Sequence, residues 1–132
     1  MKIRLGELRE LTANLYPMQK RTFPVKIGYA IMRNIEALEK EFSSFEKQRI
    51  ELCKAYANKD SDGNPVIKDG AYDIPPVAKE DFNNELKELS DEEVDIDIRM
   101  VSAEEFEKCE QADRYDIPTG EDFAVLGFMI EG

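Results

Sequence analysis

Apolar positions near the start of the chain change period within a few residues. Lys2 to Leu5 alternates polar and apolar, which predicts a short strand. Leu5, Leu8, Leu11 and Leu15 then recur at three, three and four residues. That is one face of an amphipathic helix, predicted to end near Tyr16-Pro17. Lys20 to Thr22 forms a polar turn, and Phe23-Pro24 opens a second helix with Pro24 in its first turn. In that helix Ile31, Ile35, Leu38, Phe42, Phe45, Leu52 and Tyr56 keep a heptad-like spacing, and Arg49 fills the one skipped position. The pattern runs from about Pro24 to Asn58 without an internal proline, a length of roughly 50 Å. A helix that long must bury its stripe, and the first helix is about half its length. Gly28 lies inside it, where glycine costs about 1 kcal/mol relative to alanine. A close helix crossing is the expected reason.

Beyond Asn58 the segments are shorter. Lys59 to Asn64 is a turn cluster. Asp69-Gly70 sits between two β-prone runs, Val66 to Lys68 and Ala71 to Ile74, which predicts a hairpin stopped by Pro75-Pro76. Phe82, Leu86 and Leu89 mark a third helix. Val94, Ile96 and Ile98 alternate with Asp95, Asp97 and Arg99, as in a half-buried strand. Ser102 and Glu105 have capping-box spacing for a fourth helix carrying Phe106 and Cys109. After a loop from Tyr115 to Gly120, Thr119 and Asp122 are placed to cap a last helix, Phe123 to Glu131. The expected fold is α+β in a single domain, 1–132: a helical hairpin over 1–58 and an acidic α+β region over 59–132.

Charge sharpens this division. The 132 residues include 18 Lys and Arg and 29 Asp and Glu, for a formal net charge of -11. Residues 1–58 hold 11 basic and 7 acidic side chains, net +4, and residues 59–132 hold 7 and 22, net -15. At 42 % hydrophobic and 36 % charged the chain has the composition of a folded protein with a highly charged surface. There is no histidine, which removes Ser-His-Asp and Cys-His catalysis and every histidine-ligated metal. Two cysteines, Cys53 and Cys109, do not make a four-cysteine zinc site. The N-terminal ten residues include Lys2, Arg4, Glu7, Arg9 and Glu10, with no apolar signal stretch among them. The longest run free of charged or strongly polar residues, Phe123 to Ile130, is too short to cross a bilayer. A cytoplasmic protein with two reduced thiols is expected.

Candidate chemistry is sparse. Asp60, Asp62 and Asn64 occupy the first, third and fifth positions of a calcium loop, but Pro65 stands at the sixth and Ala71 at the twelfth. The sharp turn and the bidentate ligand are both missing, so a plain Asp/Gly/Asn turn is expected. Asp95 and Asp97 would share one face of a strand, but no third group completes an acid–base or metal site. Cys109 follows Lys108, a cation that could lower its thiol pKa. Gly28 has no phosphate-loop context. No catalytic, metal or cofactor site is therefore expected. The expected partner-binding residues are acidic: Asp91, Glu92, Glu93, Asp95 and Asp97 on and before the strand, and Glu104, Glu105, Glu107, Glu110 and Asp113 on the fourth helix. Such a face suits a basic groove, and its carboxylates could imitate nucleic-acid phosphates.

The order of several segments is also informative. These are Phe23-Pro24-Val25-Lys26-Ile27-Gly28-Tyr29-Ala30, Phe45-Glu46-Lys47-Gln48-Arg49, Tyr56 to Asn64, Phe82 to Leu89 and Glu93-Val94-Asp95-Ile96. Over roughly residues 3 to 100 the chain resembles a family of small uncharacterised proteins of phages and prophages of Gram-positive bacteria. The segment Lys108 to Gly120 departs from that pattern. The resemblance implies a genetic setting and carries no activity. Within that setting we expect a non-catalytic accessory protein that binds and inhibits a host defence or nucleic-acid-handling protein through a basic groove. It would make no direct contact with nucleic acid or membrane. The alternative is an assembly protein, a homo-oligomer through the long helix with Ile35, Leu38, Phe42 and Phe45 at the contact.

Overall fold

The computed structural model describes residues 1–132. Its axis is helix α2, Val25–Tyr56, whose 32 residues span about 48 Å. Helix α1, Leu8–Leu15, packs along it. The first helix is shorter than its leucine spacing suggests, with 3-10 turns at Leu5–Glu7 and Tyr16–Lys20. Pro17 has no N–H for an i to i−4 bond, so the α-helix ends before it. Gly6 explains the other end. A Cβ there would lie 3.1 Å from Ser90 Cβ and 3.2 Å from the Ser90 carbonyl oxygen. The first turn presses against the end of helix α3, Lys79–Asp91, closely enough that a side chain at Gly6 would require Ser90 to give by a few tenths of an ångström.

Most of the expected stripe on α2 is core. Ile31, Ile35, Leu38 and Phe45 are buried, together with Ile27, Ala30, Asn34 and Cys53. Phe42, Leu52 and Tyr56 are half-buried. The skipped position, Arg49, donates to Glu46 at 2.9 and 3.0 Å, and Glu46 also accepts from Arg9 of α1 at 3.2 Å. Where α1 runs out, α3 takes over, with Phe82 edge-on to Tyr56 at 5.9 Å. Gly28 does not mark a crossing within the chain: a Cβ there would meet nothing within 4 Å.

The strands form three separate two-stranded ladders. Strand β1, Lys2–Arg4, runs antiparallel to β4, Glu93–Asp95. The register sets Lys2 opposite Asp95 and Arg4 opposite Glu93, so opposite charges face across it. The predicted hairpin is present as β2, Ile67–Lys68, and β3, Ala71–Tyr72. Asp69 at φ 52° and Gly70 at φ 79° make the tight turn that requires left-handed backbone. After Asp95 the chain leaves the ladder but stays alternating, with Ile96 and Ile98 buried and Asp97 and Arg99 out. Strand β5, Val101–Ser102, pairs in parallel with β6, Ile130–Glu131.

Two elements differ from expectation. The fourth helix is a 3-10 helix, Ala103–Glu110. Ser102 Oγ caps the helix by accepting from the Glu104 N–H at 3.1 Å, one residue short of the Glu105 N–H that a capping box uses, and the Glu105 side chain turns to Lys108 instead of reaching back, so the box is absent. Phe106 and Cys109 are buried as the pattern required. The last helix, α4, covers Gly120–Leu126, with its Thr119–Asp122 capping box complete. It starts and stops earlier than predicted, because Gly127–Met129 is a 3-10 turn and Ile130–Glu131 is extended to meet β5. One core unites both charge regions: Ile3, Leu8, Ile27 and Leu38 pack with Ile96, Leu126 and Met129.

Candidate functional site

Two polar fixtures place the acidic residues. Asn34 is buried on α2 among apolar neighbours. Its Oδ1 accepts from the Arg99 N–H at 2.7 Å and its Nδ2 donates to the Arg99 carbonyl at 3.0 Å. The side chain thus serves as the missing strand partner for the segment after β4. The second fixture is Arg21. It reaches the buried carboxylate of Asp122 at 2.7–2.8 Å, and its Nε donates to Asp116 at 3.3 Å. Asp116 also accepts the Thr22 N–H at 2.7 Å. That backbone bond, with Arg21 beside it, holds the Asp116 carboxyl below the usual carboxylate range. The loop before α4 is thereby tied to the loop before α2.

The ten acidic residues separate into three kinds. Asp91, Asp95 and Glu105 are neutralised within the chain, by Lys87 at 2.7 Å, the Met1 amino group at 2.8 Å and Lys108 at 2.9 Å. Those hydrogen-bonded cations hold all three carboxyls below their ordinary values. Glu105 also lies 3.7 Å from Lys26. Asp97 makes no ion pair but lines a groove of ≈ 400 Å³ with Arg33, Lys40 and Arg99. Glu92, Glu93, Glu104, Glu107, Glu110 and Asp113 are exposed and make no ion pair. Nor do they form one continuous face. From Asp97 to Glu105 the chain follows α2 from beside Lys40 to beside Lys26, a distance of about 20 Å. The strand carboxylates lie at one end of that path among cations. Glu104, Glu107 and Glu110 form a separate ridge at the other.

Two grooves lie in this part of the fold. One, of ≈ 440 Å³, has Ala103, Phe106, Phe123 and Ile130 as its floor and Glu107 and Glu110 on its rim. The Phe106 and Phe123 rings sit 5.4 Å apart, and Phe123 is 43 % exposed. The other, of ≈ 510 Å³, lies between α2 and β5 and is lined by Val25, Tyr29, Met100 and Val101 with Lys26, Arg99 and Glu105. Comparison with family models, with curated proteins and with solved structures finds no match. What the site offers rests on its own geometry: an anionic ridge with exposed apolar side chains beside it, complementary in charge to a cationic surface.

The other sequence candidates resolve simply. Asp60 Oδ1 accepts the N–H groups of Asp62 and Asn64, both at 2.9 Å, and so closes a turn. No group of three metal-ligating side chains converges anywhere in the chain. Cys109 does not gain from Lys108, whose ammonium goes to Glu105; burial pushes the Cys109 thiol up, the reverse of activation. Cys53 is buried, with Arg49 Nη1 at 3.9 Å from its sulfur. No helix is long and apolar enough to cross a membrane. Ile35, Leu38 and Phe45, offered for a homo-oligomer seam, are buried in the chain's own core. Asn34 was detectable as a polar residue at i+4 from Ala30 and before Leu38 on a buried face. Its partner was not, being 65 residues away.

Proposed function

We propose that this chain is a non-catalytic accessory protein that binds a host protein through the ridge Glu104–Asp113, with Phe123 beside it, and inhibits that protein by occupying a basic groove. The observation that carries this reading is that Glu104, Glu107, Glu110 and Asp113 are exposed and make no ion pair, whereas Glu105 beside them and Asp91 and Asp95 at the far end of the segment are all paired. Like charges left together repel one another, and a basic partner relieves that repulsion while speeding encounter. Phe123 and the floor under it add apolar contact. A groove evolved to take phosphates would find in this ridge a rigid array of anions that it cannot process.

The test is capture from a lysate on four baits: the native chain, Glu104→Lys/Glu107→Lys/Glu110→Lys, Asp91→Asn/Asp95→Asn, and Phe123→Ser. A specific partner should bind the native chain at about 0.1 M salt and be released near 0.5 M. It should be lost from the triple charge reversal, weakened by Phe123→Ser and kept by the Asp91/Asp95 variant. A partner held equally by the native and charge-reversed baits refutes the proposal.

A further inference from the structure

The outer side of α2 carries an apolar stripe of its own. Val25 is 82 % exposed, Tyr29 45 % and Met32 43 %, at spacings of four and three on one helix face. Met100, 42 % exposed, lines the same groove as Val25 and Tyr29. Gly28 falls between them on that face, completing the i, i+3, i+4, i+7 set.

Gly28 has no purpose inside the chain. It sits in an α-helix without left-handed φ, and nothing lies within 4 Å of where its Cβ would be. Glycine there is a poor helix former and saves no space. Its absent side chain matters only to something that approaches from outside. Charge says what that is. The chain as a whole is at -11, so two copies repel over most of their surfaces. Around this stripe the signs cancel: Lys26 with Glu105, Arg33 with Glu36 at 3.2 Å, and Arg99 with Asp97 along the adjoining groove. Arg99 itself stacks on Tyr29, 4.8 Å from the ring centre, and makes no ion pair. A neutral, two-signed rim around an apolar centre is self-complementary, as a two-fold interface requires. The four bare side chains offer on the order of 400 Å² of apolar surface, close to the apolar share of a standard interface of roughly 800 Å² per partner.

We propose that the chain forms a two-fold homodimer in which the outer face of α2 crosses that of a second copy, with Gly28 at the crossing and Val25, Tyr29, Met32 and Met100 around it. The stripe is distinct from the buried one, and the acidic ridges remain outside the contact, so the dimer presents two of them.

Sedimentation equilibrium from about 1 to 300 µM tests this directly. The native chain should pass from its monomer mass of 15.2 kDa to twice that value. Gly28→Leu should raise the dissociation constant by about 30-fold or more, as loss of an interface hot spot does. It should keep the native circular dichroism and leave the thermal midpoint of the dilute chain at or slightly above the native value, because the leucine enters open space and is the better helix former. Met32→Glu should act likewise. Salt between 0.1 and 0.5 M should change the dissociation constant less than about threefold, since the rim is neutral. Gly28→Cys should cross-link to a dimer under mild oxidation, and Lys47→Cys should not. A native chain that stays monomeric throughout, or a Gly28→Leu variant that dimerises as the native chain does, overturns the proposal. A dimer lost only on charge reversal of Glu104, Glu107 and Glu110 also overturns it, by placing the contact on the ridge.

Discussion

Replacing Asn34 with alanine removes both hydrogen bonds that hold the backbone of Arg99 to α2. Each is worth about 1 kcal/mol net, and each leaves behind a backbone group that has lost its partner, at a further cost of about 1 kcal/mol or more. The Met129 sulfur, 3.4 Å from Asn34 Nδ2, loses its neighbour as well. Arg99 lies at the edge of the core with its side chain outside, so water can recover part of the loss. A destabilisation of about 2–4 kcal/mol follows. For 132 residues at about 2.1 cal/mol/K each, that lowers the thermal midpoint by roughly 7–14 °C. Calorimetry gives the midpoint, and hydrogen exchange reads the Arg99 amide, whose protection should collapse before that of α2. Asn34→Asp is the sharper variant. It keeps the acceptor for the Arg99 N–H but sets an oxygen against the Arg99 carbonyl and buries a charge. Burial raises a carboxyl's folded pKa, so the loss should be smaller at pH 4 and grow as pH rises toward 7. An alanine variant within about 0.5 kcal/mol of native, with the Arg99 amide still protected, would refute this account of the segment.

Glycine offers a paired comparison at dilutions where the chain is monomeric. Gly28→Ala should stabilise by about 0.5–1 kcal/mol, and Gly6→Ala should destabilise by about 1 kcal/mol because its Cβ presses on Ser90, which must give by a few tenths of an ångström. Urea midpoints of the opposite order contradict the packing described. Asp122→Ala removes a cap and strands Arg21, so it should cost about 2–4 kcal/mol, with exchange rising first across Gly120–Leu126. Equal protection there in both proteins counts against this role for Asp122. Glu46, hydrogen-bonded by Arg49 and then Arg9, and Asp116, hydrogen-bonded by the Thr22 amide, titrate below ordinary carboxylates. Their contribution is present above about pH 4.5 and is lost as pH falls through the lowered values, so thermal midpoints should drop steeply there. Glu46→Gln should flatten that limb; an unchanged slope argues against it.

What the sequence reveals divides by distance along the chain. The α2 stripe, the Asp69-Gly70 turn and the Thr119–Asp122 box are written within a few residues, and each is present in the structure. The Ser102 box is equally local but does not form: Ser102 caps the Glu104 amide alone, and Glu105 meets Lys108 and Lys26 instead. Strand pairing is another matter. β1 finds β4, and β5 finds β6, through registers that no local pattern specifies. Gly6 and Gly28 make the same point: only the fold tells which of them is crowded. The ten carboxylates are plain in the sequence. Lys87 and Lys108 reach Asp91 and Glu105 from four and three residues away, but the pairing of Asp95 with the Met1 amino group and of Glu105 with Lys26 exists only in the fold.

The pairing of β1 with β4 also has a meaning in time. During synthesis Lys2–Arg4 emerges about 90 residues ahead of Glu93–Asp95, a wait of roughly 5–20 s at ordinary elongation rates. Ile3, fully buried at the end, spends that interval without its strand partner, while α1 and α2 can already form beside it. The chain must carry an unpaired strand, with Ile3 uncovered on it, through most of its own making. Lys2 and Arg4, flanking Ile3, are the charges that keep that waiting strand from pairing with another chain.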